Sequence, residues 1–175
     1  VMKFLRLIHI DKGLNVGYRH ITLSTCGIVP KIYKLADFQF PITLAISLHA
    51  PSNDLRNQIM PINRKYPNEK VIESCKYYFN KTHRRITFEY ALIKDINDNL
   101  DYAVELARLL KDFTCHINLI PVNPTGKKYV QPKNQITQKF CNIIENNGIS
   151  CTIRRELGVE IDAACGQLRN RYLDK

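Results

Sequence analysis

The chain has 175 residues, 45% of them apolar, and a formal net charge of +10. That length holds one domain with a real core, and the composition excludes a disordered or low-complexity chain. No run of 18 apolar residues occurs and no signal peptide opens the sequence, which predicts a soluble, cytoplasmic protein with no membrane contact.

Residues 1–9, "VMKFLRLIH", show helical apolar spacing through Val1, Phe4, Leu5 and Ile8, with no start signal before them. The chain thus opens in mid-element, as expected of a piece of a longer protein. Strand-like runs follow at 20–25, "HITLST", and 43–49, "TLAISLH". A helical stretch at 68–82 opens with an Asn cap and an early Glu. The run 85–92, "RITFEYAL", is again strand-like. Residues 99–113 are helical through Ala103, Leu106, Ala107 and Leu110. The strand-like "HINLIPV" covers 116–122, a helix over 133–148 stops on Gly148, and "CTIRR" closes the series at 151–155. Most strand starts lie roughly 30–40 residues apart, which fits βαβ units and a parallel sheet. Five strands are too few for a complete eight-stranded barrel. The predicted fold is α/β: an incomplete (β/α) barrel of about five mostly parallel strands, with no domain boundary inside 1–175.

In parallel α/β barrels ligands bind at the C-terminal ends of the strands. Here those ends carry Ser24 and Thr25 before Cys26-Gly27, then Ser47-Leu48-His49, the segment Lys94 to Asp98, Asn123 between two prolines, and Arg154-Arg155. Hydroxyls, an imidazole and a carboxamide converge on one rim, which suits a polar small molecule with ribose or amino-acid groups. Taken singly, each has a plainer role. A serine can bond its own backbone, a histidine can be structural, and Asn123 is a natural turn residue.

The charge is uneven. Residues 56–85 hold eight basic and two acidic residues, +6, and 124–139 hold four lysines and no acid, +4. Such clusters attract a polyanion, most often nucleic acid, or form a solvated surface. The six cysteines form no CxxC, which disfavours a zinc ribbon or thioredoxin-type site. Most read as reduced packing residues. Cys165 differs, because Ala163, Ala164 and Gly166 leave room for a large ligand to approach it. Arg154, Arg155, Arg169 and Arg171 are close in sequence and would favour a thiolate, and Asp162 could orient a donor or accept a proton. Core filler, metal ligand and nucleophile all stay open on spacing alone.

The blocks "HITLSTCGIVPKI", "LAISLHAP", "MPINRKYP", "INLIPVNP" and "EIDAACGQLR" together resemble the C-terminal part of RlmN/Cfr-type radical-SAM RNA methyltransferases, in the same order and at similar spacing. "SLHAP" and "NLIPVNP" resemble the RlmN branch, which methylates C2 of adenine, more than the Cfr branch, which methylates C8. The resemblance implies a radical-SAM partial barrel, a [4Fe–4S] cluster, S-adenosylmethionine (SAM), an electron-donor protein, and adenosines of 23S rRNA and tRNA as substrates. It maps SAM contacts onto Ser24, Ser47, Leu48, His49 and Asn123, and the methyl-carrying cysteine onto Cys165. In that family the cysteine is methylated first. A second SAM, cleaved at the cluster, activates the methyl group for attack on the adenine ring, and a resolving cysteine releases the product.

The family's CxxxCxxC cluster motif, its GxGEP segment, its resolving cysteine and its N-terminal RNA-binding region all precede the matched part and do not occur in these 175 residues. These residues alone are therefore expected neither to assemble the cluster, which leaves no metal ligands here, nor to turn over. The open edge of the strand at 20–25 predicts self-association. The competing readings are a Cfr-like adenine-C8 methyltransferase and a non-enzymatic RNA-binding module.

Overall fold

In the computed structural model, which describes residues 1–123 and 129–155, the five strand-like runs form one parallel sheet in chain order. The strands are β1 (Thr22–Thr25), β2 (Thr43–Ser47), β3 (Ile86–Leu92), β4 (Cys115–Pro121) and β5 (Ser150–Ile153). Before them comes helix α1 (Met2–His9); between them lie α2 (Val29–Asp37), α3 (Asn53–Ile59), α4 (Asn68–Thr82), α5 (Leu100–Leu110) and α6 (Asn134–Asn146). Every strand pairs with its neighbours in sequence, as expected of successive βαβ units.

Strand periodicity places the core. In β3, Ile86, Phe88, Tyr90 and Leu92 are buried while Thr87, Glu89 and Ala91 are only partly so, and β4 alternates in the same way. The buried set packs against α2, α4, α5 and α6 through Ile32, Val71, Tyr78, Leu106 and Phe140. The opposite face carries Ser24, Ser47, Thr87, Glu89, His116, Asn118, Ser150 and Thr152, none of them buried. Parallel sheets are usually apolar on both faces because helices cover both. This sheet has helices on one face and hydroxyl, carboxylate, amide and imidazole groups on the other, which is how the inner wall of an open barrel that receives a polar ligand is built. On that wall His116 bridges Ser150 Oγ at 3.0 Å and Thr152 Oγ1 at 2.9 Å.

Two helices, α2 and α3, have no clear signature in the sequence. Pro30 stands in the first turn of α2, whose Ile32, Leu35 and Ala36 face the core. Ser52 caps α3, accepting from the Leu55 N–H at 3.4 Å. The strand expected over 43–49 ends at Ser47 because His49 takes a left-handed backbone, φ 60°. β1 is an edge strand; beside it a cavity of about 440 Å³ opens between Met2 of α1, Leu23, and Ile32 and Leu35 of α2. Phe4 and Leu7 of α1 are exposed nearby in sequence. Among the described residues no helix is long and apolar enough to cross a membrane.

Candidate functional site at the C-terminal rim of the sheet

The turn Ser47-Leu48-His49 leaves β2 at the C-terminal rim, and its backbone is held at every residue. The Leu48 and His49 N–H groups donate to the Glu89 carbonyl of β3, at 3.0 and 3.3 Å. The Ser47 and Leu48 carbonyls accept from Arg56 of α3, and the His49 carbonyl accepts from Asn97 Nδ2 at 2.9 Å. The Leu48 side chain is fully buried in the core and is not placed to meet a ligand. Ser47 Oγ donates to Glu89 Oε2 at 3.3 Å on the polar face.

His49 Nδ1 accepts the Ala91 N–H at 2.9 Å, which assigns the proton of the neutral ring to Nε2. Burial, and then the Arg56 cation, lower the imidazole pKa from 6.5 to about 4. His49 is therefore a neutral hydrogen-bond donor at pH 7. The shift also sets a pH dependence. Because the folded pKa is depressed, the unfolded chain binds the proton first as the pH falls, and stability drops from pH 6.5 down to about 4. The loss is on the order of 3 kcal/mol over that window, at about 1.4 kcal/mol per pH unit. Urea unfolding at pH 7 and pH 5 is expected to show the drop, and His49→Gln to flatten it.

Ser24 is exposed on the polar face of β1, in register with Ala45 and one pleat short of Ser47. Asn123 lies half-buried just past β4, next to Val122, whose N–H donates to the Leu92 carbonyl at 3.2 Å. Cys26, the half-buried thiol after β1, offers its carbonyl to Arg56 Nη2 at 2.9 Å. The structure thus brings Ser24, Ser47, His49 and Asn123 to one end of one sheet. Cys165 and its neighbours Asp162, Arg169 and Arg171 lie outside the described residues, as do residues 124–128 of the second basic stretch.

Three further residues at the rim are not evident as site residues in the sequence. Glu89 has a usable signal in the alternation of β3, which puts it on the polar face beside Ser47. Asn97 belongs to the segment that follows β3. It is fully buried, and its Oδ1 accepts the Ile93 N–H at 2.7 Å. Arg56 falls in the first basic stretch, where a surface position is expected, yet it is 0% exposed. The rest of that stretch is not a single patch either. Arg64 and Lys65 are exposed next to the rim, whereas Arg84 donates to Thr43 Oγ1 at the far end of β2.

The described residues do not fit an iron–sulfur cluster. No group of three or more His, Cys, Asp or Glu side chains among them could hold a metal. Burial pushes the Cys115 thiol up to about 12 and raises those of Cys75, Cys141 and Cys151 as well, which leaves them protonated packing residues. The rim does fit a nucleoside-bearing ligand, since its hydrogen-bonding groups are hydroxyls, a carboxamide, a neutral imidazole and, as acceptor, a carboxylate.

Comparison with known proteins agrees with this fold. The chain is 55% identical over 174 residues to a "Probable dual-specificity RNA methyltransferase RlmN" of Thermoanaerobacter sp. (strain X514), covering 99% of this chain and 51% of the relative. It is 55% identical over 175 residues to the protein of the same name in Clostridium beijerinckii, covering 99% and 50%. The chain therefore spans about half the length of the curated relatives it matches. A radical SAM methyltransferase from Sphaerobacter thermophilus superposes with a TM-score of 0.91 at 46% identity, over 95% of this chain and 49% of that one. A domain of a pyruvate-formate lyase-activating enzyme from Bacteroides vulgatus shares the fold at 16% identity, with a TM-score of 0.61. No protein-family profile matches the chain.

Proposed function

We propose that this chain, related along its whole length to RlmN-type radical-SAM RNA methyltransferases, is the C-terminal portion of the catalytic domain of an enzyme that methylates C2 of adenosine in 23S rRNA and tRNA. The observation that carries the proposal is the rim itself: a parallel sheet with one polar face, whose C-terminal end presents Ser24, Ser47, His49 and Asn123 together. SAM, when bound there, supplies the methyl group. Ser47 and Ser24 offer hydroxyls to the polar groups of the nucleoside, Asn123 offers a carboxamide, and His49 donates from Nε2 without gaining charge. Leu48 contributes the shape of the turn, with its side chain in the core. Cys165, having lost its proton, would take the methyl group as a thioether, with S-adenosylhomocysteine as the leaving group. Cluster ligands come from outside the described residues, and an electron-donor protein belongs to the same proposal.

The test joins this chain to the complementary half of the Thermoanaerobacter relative and analyses nucleosides of 23S rRNA and tRNA after incubation with SAM and a reductant. 2-Methyladenosine is the expected product. 8-Methyladenosine would replace this function with the C8 reaction, and RNA binding without any product would leave a binding module.

RNA binding is proposed for the exposed Arg64 and Lys65 beside the rim. Charge reversal there (R64E and K65E) is expected to reduce the slope of log affinity against log salt by about 0.7 for each phosphate no longer neutralised. Reversal at Arg84 and Arg85, at the opposite end of the strands, is expected to change it less. Self-association through the β1 edge is also part of this proposal, and light scattering would show mass rising with concentration.

A further inference from the structure

We infer that Arg56 and Asn97 are positioning residues, which hold the Ser47-Leu48-His49 turn in the shape that receives the adenosine part of the ligand. The ligand half of this inference rests on the function proposed above; the positioning half does not. Two buried side chains from different segments take three consecutive carbonyls. Arg56 donates from Nε to the Leu48 carbonyl at 3.0 Å and from Nη2 to the Ser47 carbonyl at 3.3 Å. Its remaining N–H groups go to the Cys26 carbonyl at 2.9 Å, Asn63 Oδ1 at 2.9 Å and the Tyr66 carbonyl at 3.2 Å. A guanidinium has five N–H donors in a fixed plane, and every one is used. Asn97 Nδ2 takes the His49 carbonyl at 2.9 Å and the Ala91 carbonyl at 2.7 Å.

The charge on Arg56 is the informative feature. The guanidinium is fully buried, and all five of its hydrogen-bond acceptors are neutral oxygens. Burying a cation without a counter-charge is unfavourable, and a core needing only bulk is better served by an apolar side chain. What the fork supplies instead is a fixed distance between the ends of β1 and β2, the two strands that carry Ser24 and Ser47. Gly27 supports that closeness. A Cβ there would sit 3.0 Å from Val71 Cγ2 and 3.4 Å from Arg56 Nη2, at a φ of +92°. Asn97 holds the other side of the turn, where His49 has its left-handed backbone.

The test compares the 175-residue chain with Arg56→Lys, which keeps the charge and removes the fork, with Asn97→Ala, and with Ile144→Val as a remote core control. Amide hydrogen exchange is read at Leu48 and His49 against Ile117 and Leu119, and binding of SAM and 5′-deoxyadenosine is measured by calorimetry. Expected in both variants is exchange at Leu48 and His49 faster by about tenfold beyond any rise at Ile117 and Leu119, with affinity weaker by about tenfold. The control should raise exchange evenly, with no excess at Leu48 and His49, and leave affinity unchanged. A uniform rise in exchange, or failure of both variants to fold, would make the pair purely structural and overturn the inference. Local loosening with affinity within about twofold of the parent would overturn its ligand half. If the parent chain binds neither compound, the proposed function fails, while the exchange pattern still decides the positioning.

Discussion

In this chain joined to a cluster-binding half, replacing Cys165 by serine is expected to abolish the proposed adenosine methylation, with a fall in rate on the order of 10³ or more. The proposed relay needs an atom that attacks a sulfonium methyl group, holds that methyl, and leaves through a disulfide. A thiolate meets all three demands, whereas a serine hydroxyl fails the first and the last: its oxygen is too weak a nucleophile and forms no disulfide. Arg154 and Arg155, exposed just after β5, supply positive charge close in sequence to the thiol. Mass spectrometry gives an independent readout: the intact joined protein incubated with SAM is expected to carry one added methyl on the peptide containing Cys165. Undiminished methylation by the serine variant, or a methyl group on another residue, would remove Cys165 from the reaction.

The second large effect concerns stability. Phe88→Ala is expected to destabilise the chain by about 3–5 kcal/mol, read from the midpoint of urea unfolding. Phe88 is 1% exposed at the middle of β3 and lies edge-on to Phe113 at 5.9 Å, which in turn meets Phe79 of α4 at 6.0 Å. Truncation there removes a ring from the packing between central strand and helices and leaves a cavity that rigid neighbours on both sides cannot fill. A loss below about 1 kcal/mol would mean that the sheet's core is not organised around this strand.

The fold is legible in the sequence because periodicity changes along the chain. The five apolar β-branched runs and the helices at 68–82, 99–113 and 133–148 carry strong patterns, and all of them are present within a few residues of the expected bounds. The helices α2 and α3 are not legible. α2 has no side-chain cap, and α3 has only seven residues and buries only Leu55 and Arg56, too few for a helical period to stand out. Ser24, Ser47, His49 and Asn123 can be placed on one rim because strand ends are visible in sequence once strand polarity is assumed. Their support cannot. Arg56 reads as one more surface cation until the structure shows it wrapped around three backbone segments, and Asn97 looks like any loop asparagine. Long-range backbone bonding leaves no local signal. Glu89 is within reach, since strand alternation alone assigns it to the polar face.

The claim on which the rest depends is that the C-terminal rim of this sheet binds the adenosine portion of SAM. A titration of the isotopically labelled chain with SAM, followed by amide shifts in two-dimensional NMR, tests it most directly. The largest changes are expected at Ser24, Ser47, His49 and Asn123, with little change on α4 and α5. Shifts confined to the cavity between α1 and α2, or no saturable shifts at Ser47 and His49, would contradict it.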